Sequence, residues 1–168
     1  MMKNSAQTSR ISVREVTKTA VVAALYVVIT LVLSTISFGV VQIRIAEMFN
    51  YLVLFNKRYL WGVSLGVFLS NFASPTWTLD VPIGTVSTFV FLLIVMLVTK
   101  PIKSMPIKFV VTAIIISLSM FTIAWELNVM TKAPFWAGWL TIGLGELLSM
   151  TIGGIIIYLL SKRINLTK

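Results

Sequence analysis

Apolar residues fall into six long runs separated by short polar or basic breaks. The runs cover residues 19–40, 38–55, 59–73, 81–98, 106–125 and 135–160. A helix that crosses a bilayer needs about 20 mostly apolar residues, so each run is a candidate span. Arg44 and Glu47 interrupt the second run, the third is short, and Asn56-Lys57-Arg58 makes a very tight connection between them. Pro82 near the start of the fourth run suits a first helical turn. A membrane barrel would alternate polar and apolar residues over segments of about 10, and these runs are continuously apolar. The pattern predicts an all-α integral membrane protein, a bundle of six transmembrane helices. Residues 1–12 are polar and expected to be flexible, and residues 13–168 form a single membrane domain. The first run is too long for a cleaved signal and has no obvious small-residue cleavage site.

Basic residues fix an orientation. With six spans both termini lie on one side. Lys3, Arg10, Arg14, Lys18, Lys57, Arg58, Lys100, Lys103, Lys108, Lys162, Arg163 and Lys168 then share that side, leaving Arg44 and Lys132 for the other half. The positive-inside rule makes the shared side cytoplasmic. Five or seven spans would scatter the clusters.

Composition closes off other classes. Of 168 residues, 58% are hydrophobic and only 11% charged, with a mean hydropathy of +0.97. A soluble domain carries about 25% charged residues. The net charge of +9 could suit a nucleic-acid surface, but its short clusters between apolar runs read as membrane orientation. The chain has no Cys and no His, which removes thiolate chemistry, imidazole bases and the common zinc ligands.

The acids are distributed oppositely. Glu15 lies in the cytoplasmic lead, whereas Glu47, Asp80, Glu126 and Glu146 belong to the outer half. A charge at the bilayer centre costs roughly 2.5–3.5 kcal/mol and usually faces a partner or a wet cavity. Arg44 stands three residues before Glu47, so this pair is either a structural bridge on one helix face or a ligand contact. Glu146 has no basic neighbour in sequence, which favours a functional site over a structural one. Trp77, Trp125, Trp136 and Trp139 fall near the outer ends of spans. They fit an interfacial belt, and beside carboxylates they also fit a pocket for a flat, hydrogen-bonding molecule. The polar segment from Asn71 to Asp80 reads as the longest outer loop, a connector or a lid.

Small residues mark close helix packing: Ala20-x-x-x-Ala24 with Ala23 beside it, Gly62-x-x-x-Gly66, and five glycines in the sixth run. Their default role is internal packing, with a partner-binding face as the alternative. No GxxxxGK[ST] phosphate loop is present, and the chain is short for an inverted-repeat transporter. If it moves a solute, its energy comes from another subunit.

Together these features resemble the substrate-binding S components of energy-coupling factor (ECF) transporters. More narrowly, RIAEMFNYLVLFNKRYLWGVSLGVFLSNF followed by LDVPIGTVST resembles the queuosine-precursor transporter family, QueT. Arg44, Glu47, Asn71, Asp80 and Gly84 sit at matching positions, and Trp125-Glu126 and Gly145-Glu146 also fit. The resemblance runs from about Val13 onward and is strongest in the middle. It implies capture of a 7-deazaguanine, such as 7-aminomethyl-7-deazaguanine or queuine, at Arg44, Glu47, Asn71, Trp77, Asp80, Trp125, Glu126, Trp139 and Glu146. It implies docking through Ala20, Ala23 and Ala24 on the transmembrane coupling protein EcfT, which carries two ECF ATPase subunits, and toppling in the membrane. ATP and Mg would be used by those partners, with no cofactor bound by this chain. The location implied is the plasma membrane of a prokaryote. A guanine-like edge suits one carboxylate and a cationic aminomethyl arm a second, giving the edge to Glu146 or Glu126 and the ammonium to Asp80 or Glu47. The alternatives are an S component for another vitamin or purine-like solute, a small intramembrane enzyme, and a structural subunit without ligand.

Overall fold

The computed structural model describes residues 13–39 and 41–167. The expected flexible segment 1–12 lies outside the described residues, as does Lys168. The described residues contain helices and no strand. Helix α1 spans Val13–Val32. A helical turn at Ser34–Ser37 and a non-helical strap lead into a 3-10 helix at Ile45–Leu54. Then come α2 (Tyr59–Ala73), α3 (Trp77–Thr99), α4 (Met105–Thr131) and α5 (Phe135–Ser161).

Among the described residues, four helices are long and apolar enough to cross a membrane: Glu15–Val32, α3, α4 and α5. The second and third apolar runs form shorter elements of 10 and 15 residues. At 2.0 Å per residue the 3-10 helix covers about 20 Å, and α2 covers about 22 Å, each less than the roughly 30 Å hydrocarbon core.

Packing closes these elements into a ring. Helix α1 lies on α2 and the 3-10 helix, the 3-10 helix on α5, α5 on α4, α4 on α3, and α3 on α2. At one end of the ring Arg58 pairs with Glu15 at 3.6 Å, and Asn56 Nδ2 donates to the Thr167 carbonyl at 3.0 Å. The start of α1, the 56–58 turn and the C-terminal residues therefore meet at the same end.

The ring is inverted relative to a soluble protein. Large apolar side chains cover its perimeter, including Leu97, Leu140 and Ile155. Glu47, Asp80, Glu126, Glu146 and Arg44 are at most 5% exposed. Because lipid is as apolar as leucine, association rests on close van der Waals packing and on internal hydrogen bonds.

Local sequence explains the irregular stretches. The second run was expected to be helical from residue 38, but Gln42 takes a left-handed φ of 51° and Arg44 remains outside the helix. Arg44 instead reaches back, donating from Nε to the Ser37 carbonyl at 3.4 Å and from Nη2 to Gln42 Oε1 at 2.8 Å. That bond serves a carbonyl at the end of the preceding turn, where no helical partner is available. Of the two readings of Arg44 and Glu47, the bridge on one helix face is not seen among the described residues, since only Glu47 is helical.

The segment 71–80, read as an outer loop or lid, is largely helical: a 3-10 turn at Asn71–Ala73, a bend at Ser74, and helix again from Trp77. Pro82 does not start α3 but lies inside it, within a π-turn at Asp80–Gly84. Proline has no N–H for an ordinary i−4 bond, and the wider turn accommodates it.

In the 3-10 helix, residues three apart eclipse each other, which sorts its side chains into three columns. Met48 and Tyr51 face α5, where Gly153 and Gly154 let them approach and Tyr51 O–H donates to the Met150 carbonyl at 2.9 Å. Phe49 meets Tyr26 of α1. Glu47 and Asn50 form the third column and point into the ring. A Cβ at Gly153 would strike Met48, whereas one at Gly138 would find its nearest atom 3.9 Å away. Gly153→Val should therefore lower stability by about 1–3 kcal/mol, and Gly138→Ala should not. Thermal unfolding of the detergent-purified chain reads this directly; equal melting of the two variants would refute the contact.

Candidate functional site

Three irregular helix segments face the same interior. The 3-10 helix presents Glu47 and Asn50, and the π-turn of α3 presents Asp80 and Gly84. In α4 the regular bonding breaks at Met120, where Ser119 Oγ donates to the Ile116 carbonyl at 2.6 Å and Thr122 Oγ1 to the Ser119 carbonyl at 2.9 Å. Hydroxyls that take i−3 carbonyls bend a helix locally. A cavity of about 20 Å³ lies among these segments, lined in part by Arg44, Glu47, Asn50, Thr88, Phe91 and Ser119. It has room for about one water.

The acids form two pairs. Glu47 accepts from Tyr26 O–H at 2.6 Å on Oε1 and from Asn50 Nδ2 on Oε2. Glu146 of α5 lies within electrostatic reach of both Glu47 and Arg44. Gly145 makes that possible: a Cβ there would collide with the backbone carbonyl of Val41, so glycine lets the strap carrying Arg44 lie against α5.

Asp80 faces Glu126 of α4 and accepts on Oδ2 from Ser74 Oγ and, at 2.6 Å, from Thr76 Oγ1. Asn71 Nδ2 donates to the Asp80 carbonyl at 2.7 Å. A Cβ at Gly84 would come within 2.5 Å of that amide nitrogen, so glycine is required where the Asn71 side chain crosses α3.

Glu126 and Glu146 are 0% exposed, and no carboxylate oxygen of either has a hydrogen-bond partner. Asn50 Oδ1 and Ser117 Oγ are also buried without one. Leaving a buried polar group unsatisfied costs about 1–3 kcal/mol, more if charged. Two such carboxylates beside one guanidinium make an environment suited to a ligand with several N–H donors. Among the described residues no group of three or more acids is placed to hold a metal ion.

The structure thus brings together Arg44, Glu47, Asn71, Asp80, Glu126 and Glu146. It does not bring the tryptophans to them. Trp77 and Trp125 are about half exposed on the perimeter, and Trp77 stacks on Phe72. Trp139 packs with Phe121, Phe135 and Trp136 and donates from Nε1 to the Leu118 carbonyl at 3.1 Å. Trp125 follows helical geometry, since its neighbour Glu126 takes the inward position. The aromatic side chain at the cavity is Phe91, which sequence reading missed, as it missed Tyr26 and Asn50. Asn50 was findable at three residues from Glu47; nothing in the sequence pairs Tyr26 with Glu47 across 21 positions.

Of the alanines, Ala20 and Ala24 lie on an exposed face of α1, along a groove of about 570 Å³ that also includes Val13, Val16, Thr17 and Val21. Ala23 is 3% exposed and points inward, toward the side on which α2 packs. Two further grooves, of about 330 Å³ and 380 Å³ between α4 and α5, are almost wholly apolar and offer little hydrogen bonding to a heterocycle.

A sequence model of the family described as QueT transporter matches residues 16–162. The Queuosine precursor transporter QueT of Lactococcus lactis subsp. cremoris (strain MG1363) is 42% identical over 158 residues, covering 89% of this chain and 93% of that protein. No solved structure matches the chain.

The Asn71–Gly84–Asp80 arrangement is testable as a unit. Gly84→Ala and Asn71→Ala should each lower stability by about 1–3 kcal/mol, and the double variant should lose clearly less than the sum, because both break the same bond. Additive losses in a thermal or denaturant series would separate the two residues.

Proposed function

This chain belongs to the QueT transporter family, and from that premise we propose that it is the substrate-capturing S component of an ECF importer for a queuosine precursor. It is a helical membrane protein of a transporter family. On this reading it binds a 7-deazaguanine from outside the plasma membrane of a prokaryote, with both termini in the cytoplasm. It then docks on EcfT and two ATPase subunits, which use ATP and Mg, and topples to release its cargo inside.

The observation that carries the reading is the pair of fully buried, unpartnered carboxylates, Glu126 and Glu146, each within electrostatic reach of Arg44. A guanine-like edge presents a ring N–H and an exocyclic amine side by side, and one carboxylate accepts both. Glu146 suits that role, and Arg44 is a donor for the ring carbonyl. Phe91 supplies an aromatic wall. Charge-assisted bonds of this kind are the strong ones in a dry site.

A pocket for a small molecule is typically several hundred Å³. The 20 Å³ cavity is far smaller, so a bicyclic base enters only if the surrounding helices or the strap move apart. The exposed Ala20–Ala24 face supports docking, because small residues let another helix approach closely.

Calorimetry on the detergent-purified chain tests the cargo. Saturable binding of 7-aminomethyl-7-deazaguanine or queuine is expected, with riboflavin and biotin silent, and Glu146→Ala should weaken it by about 10-fold or more. If no purine analogue binds, the cargo assignment is wrong. Copurification with a coupling protein and its ATPases tests the partners, and bulky replacement of Ala20 or Ala24 should abolish it while ligand binding persists.

A further inference from the structure

We infer that Asp80 and Glu126 form a cation subsite that selects queuosine precursors bearing a protonated amine over neutral ones. The inference rests on the reading of this chain as a carrier of such a precursor, and deepens it. The two acidic pairs are unequally satisfied. Glu47 has a donor on each oxygen, and Arg44 lines the same cavity as Glu47 and lies within electrostatic reach of Glu146. That half of the cluster already contains its cation.

Asp80 and Glu126 have no comparable partner. The donors to Asp80 are the neutral hydroxyls of Ser74 and Thr76, and both fall on Oδ2. Glu126 is 0% exposed, neither of its oxygens receives a bond from an N–H or hydroxyl donor, and the group it meets is the Asp80 carboxyl. No ion pair reaches either acid among the described residues. Arg44 influences Glu126 electrostatically, but its Nη2 and Nε donate to Gln42 and Ser37. Lys132 is exposed on the turn after α4.

The geometry then matches one chemical group. An ammonium carries three donors and no acceptor. Both oxygens of Glu126 and Oδ1 of Asp80 supply three acceptors. A cation between two facing carboxylates also relieves their mutual repulsion, which is strong away from water. The subsite is held in place beforehand: Asn71 fixes the Asp80 backbone, and Ser74 and Thr76 fix its side chain. A neutral substituent at the same point of the ligand would leave the repulsion intact.

The test compares two ligands that differ in charge at one arm, the cationic 7-aminomethyl-7-deazaguanine and the neutral 7-cyano-7-deazaguanine. Calorimetry on the full-length chain should show the cationic ligand bound about 10-fold more tightly or better. The near-isosteric Asp80→Asn and Glu126→Gln variants should bring the ratio of the two affinities toward one. Equal affinities in the unaltered protein would overturn the subsite, even if neither variant folds. So would a ratio unchanged in both variants, which would place the ammonium elsewhere or show that the pair merely shares a proton. An unaltered protein that binds neither ligand would instead overturn the carrier reading, and the subsite with it.

Discussion

Charge held inside an apolar bundle governs this molecule. Each ionised side chain placed at membrane depth costs roughly 2.5–3.5 kcal/mol unless it is compensated. Four acids and one arginine sit in the interior at 5% exposure or less. Uncompensated, they would consume a stability typical of a whole domain, about 5–15 kcal/mol. Two of the acids are met by the protein itself, Glu47 by Tyr26 and Asn50, Asp80 by Ser74 and Thr76. The other two, Glu126 and Glu146, are left without hydrogen-bond partners. Bulk stability does not account for that difference.

The backbone departs from regular helix where it serves this cluster. A 3-10 helix eclipses Glu47 over Asn50, so that one side chain can satisfy the other. A π-turn around Pro82 sets Asp80 against Asn71, Ser74 and Thr76. A break at Met120 brings Ser119 and Thr122 to the cavity. Non-helical backbone at membrane depth is tolerated where protein surrounds it. The strap meets that condition where Val41 lies against Gly145, while Arg44 serves the carbonyl of Ser37.

Glycine and alanine divide their work by face. Gly145, Gly153 and Gly154 allow α5 to accept the strap and the 3-10 helix. Gly62 and Gly66 do the same for α1 against α2, at Thr19 and Tyr26. These positions join the elements that hold Glu47 and Glu146 together. Ala20 and Ala24, by contrast, are exposed and line a groove on the perimeter. An identical small-residue spacing thus serves internal packing in one helix and a free face in the other.

The sequence by itself determined the class: a helical membrane protein with buried acids and a QueT-like core. Those conclusions depend on run length, composition and a few residue types, which are local quantities. Arg44, Glu47, Asn71, Asp80, Glu126 and Glu146 were legible because a charged or amide group in an apolar run is rare and must be compensated. Tertiary structure alone decided their pairing. It set Tyr26 on Glu47, placed Asp80 opposite Glu126, and put Phe91 rather than a tryptophan at the cavity. It also turned Ala23 inward and converted the expected loop at 71–80 into helix. Side-chain direction in a helix follows its rotation about the axis, and nearly uniform apolar runs carry almost no periodic signal to report that rotation. Only the close contacts at the glycines and the need to satisfy buried polar groups fix it, and both arise between segments far apart in the chain.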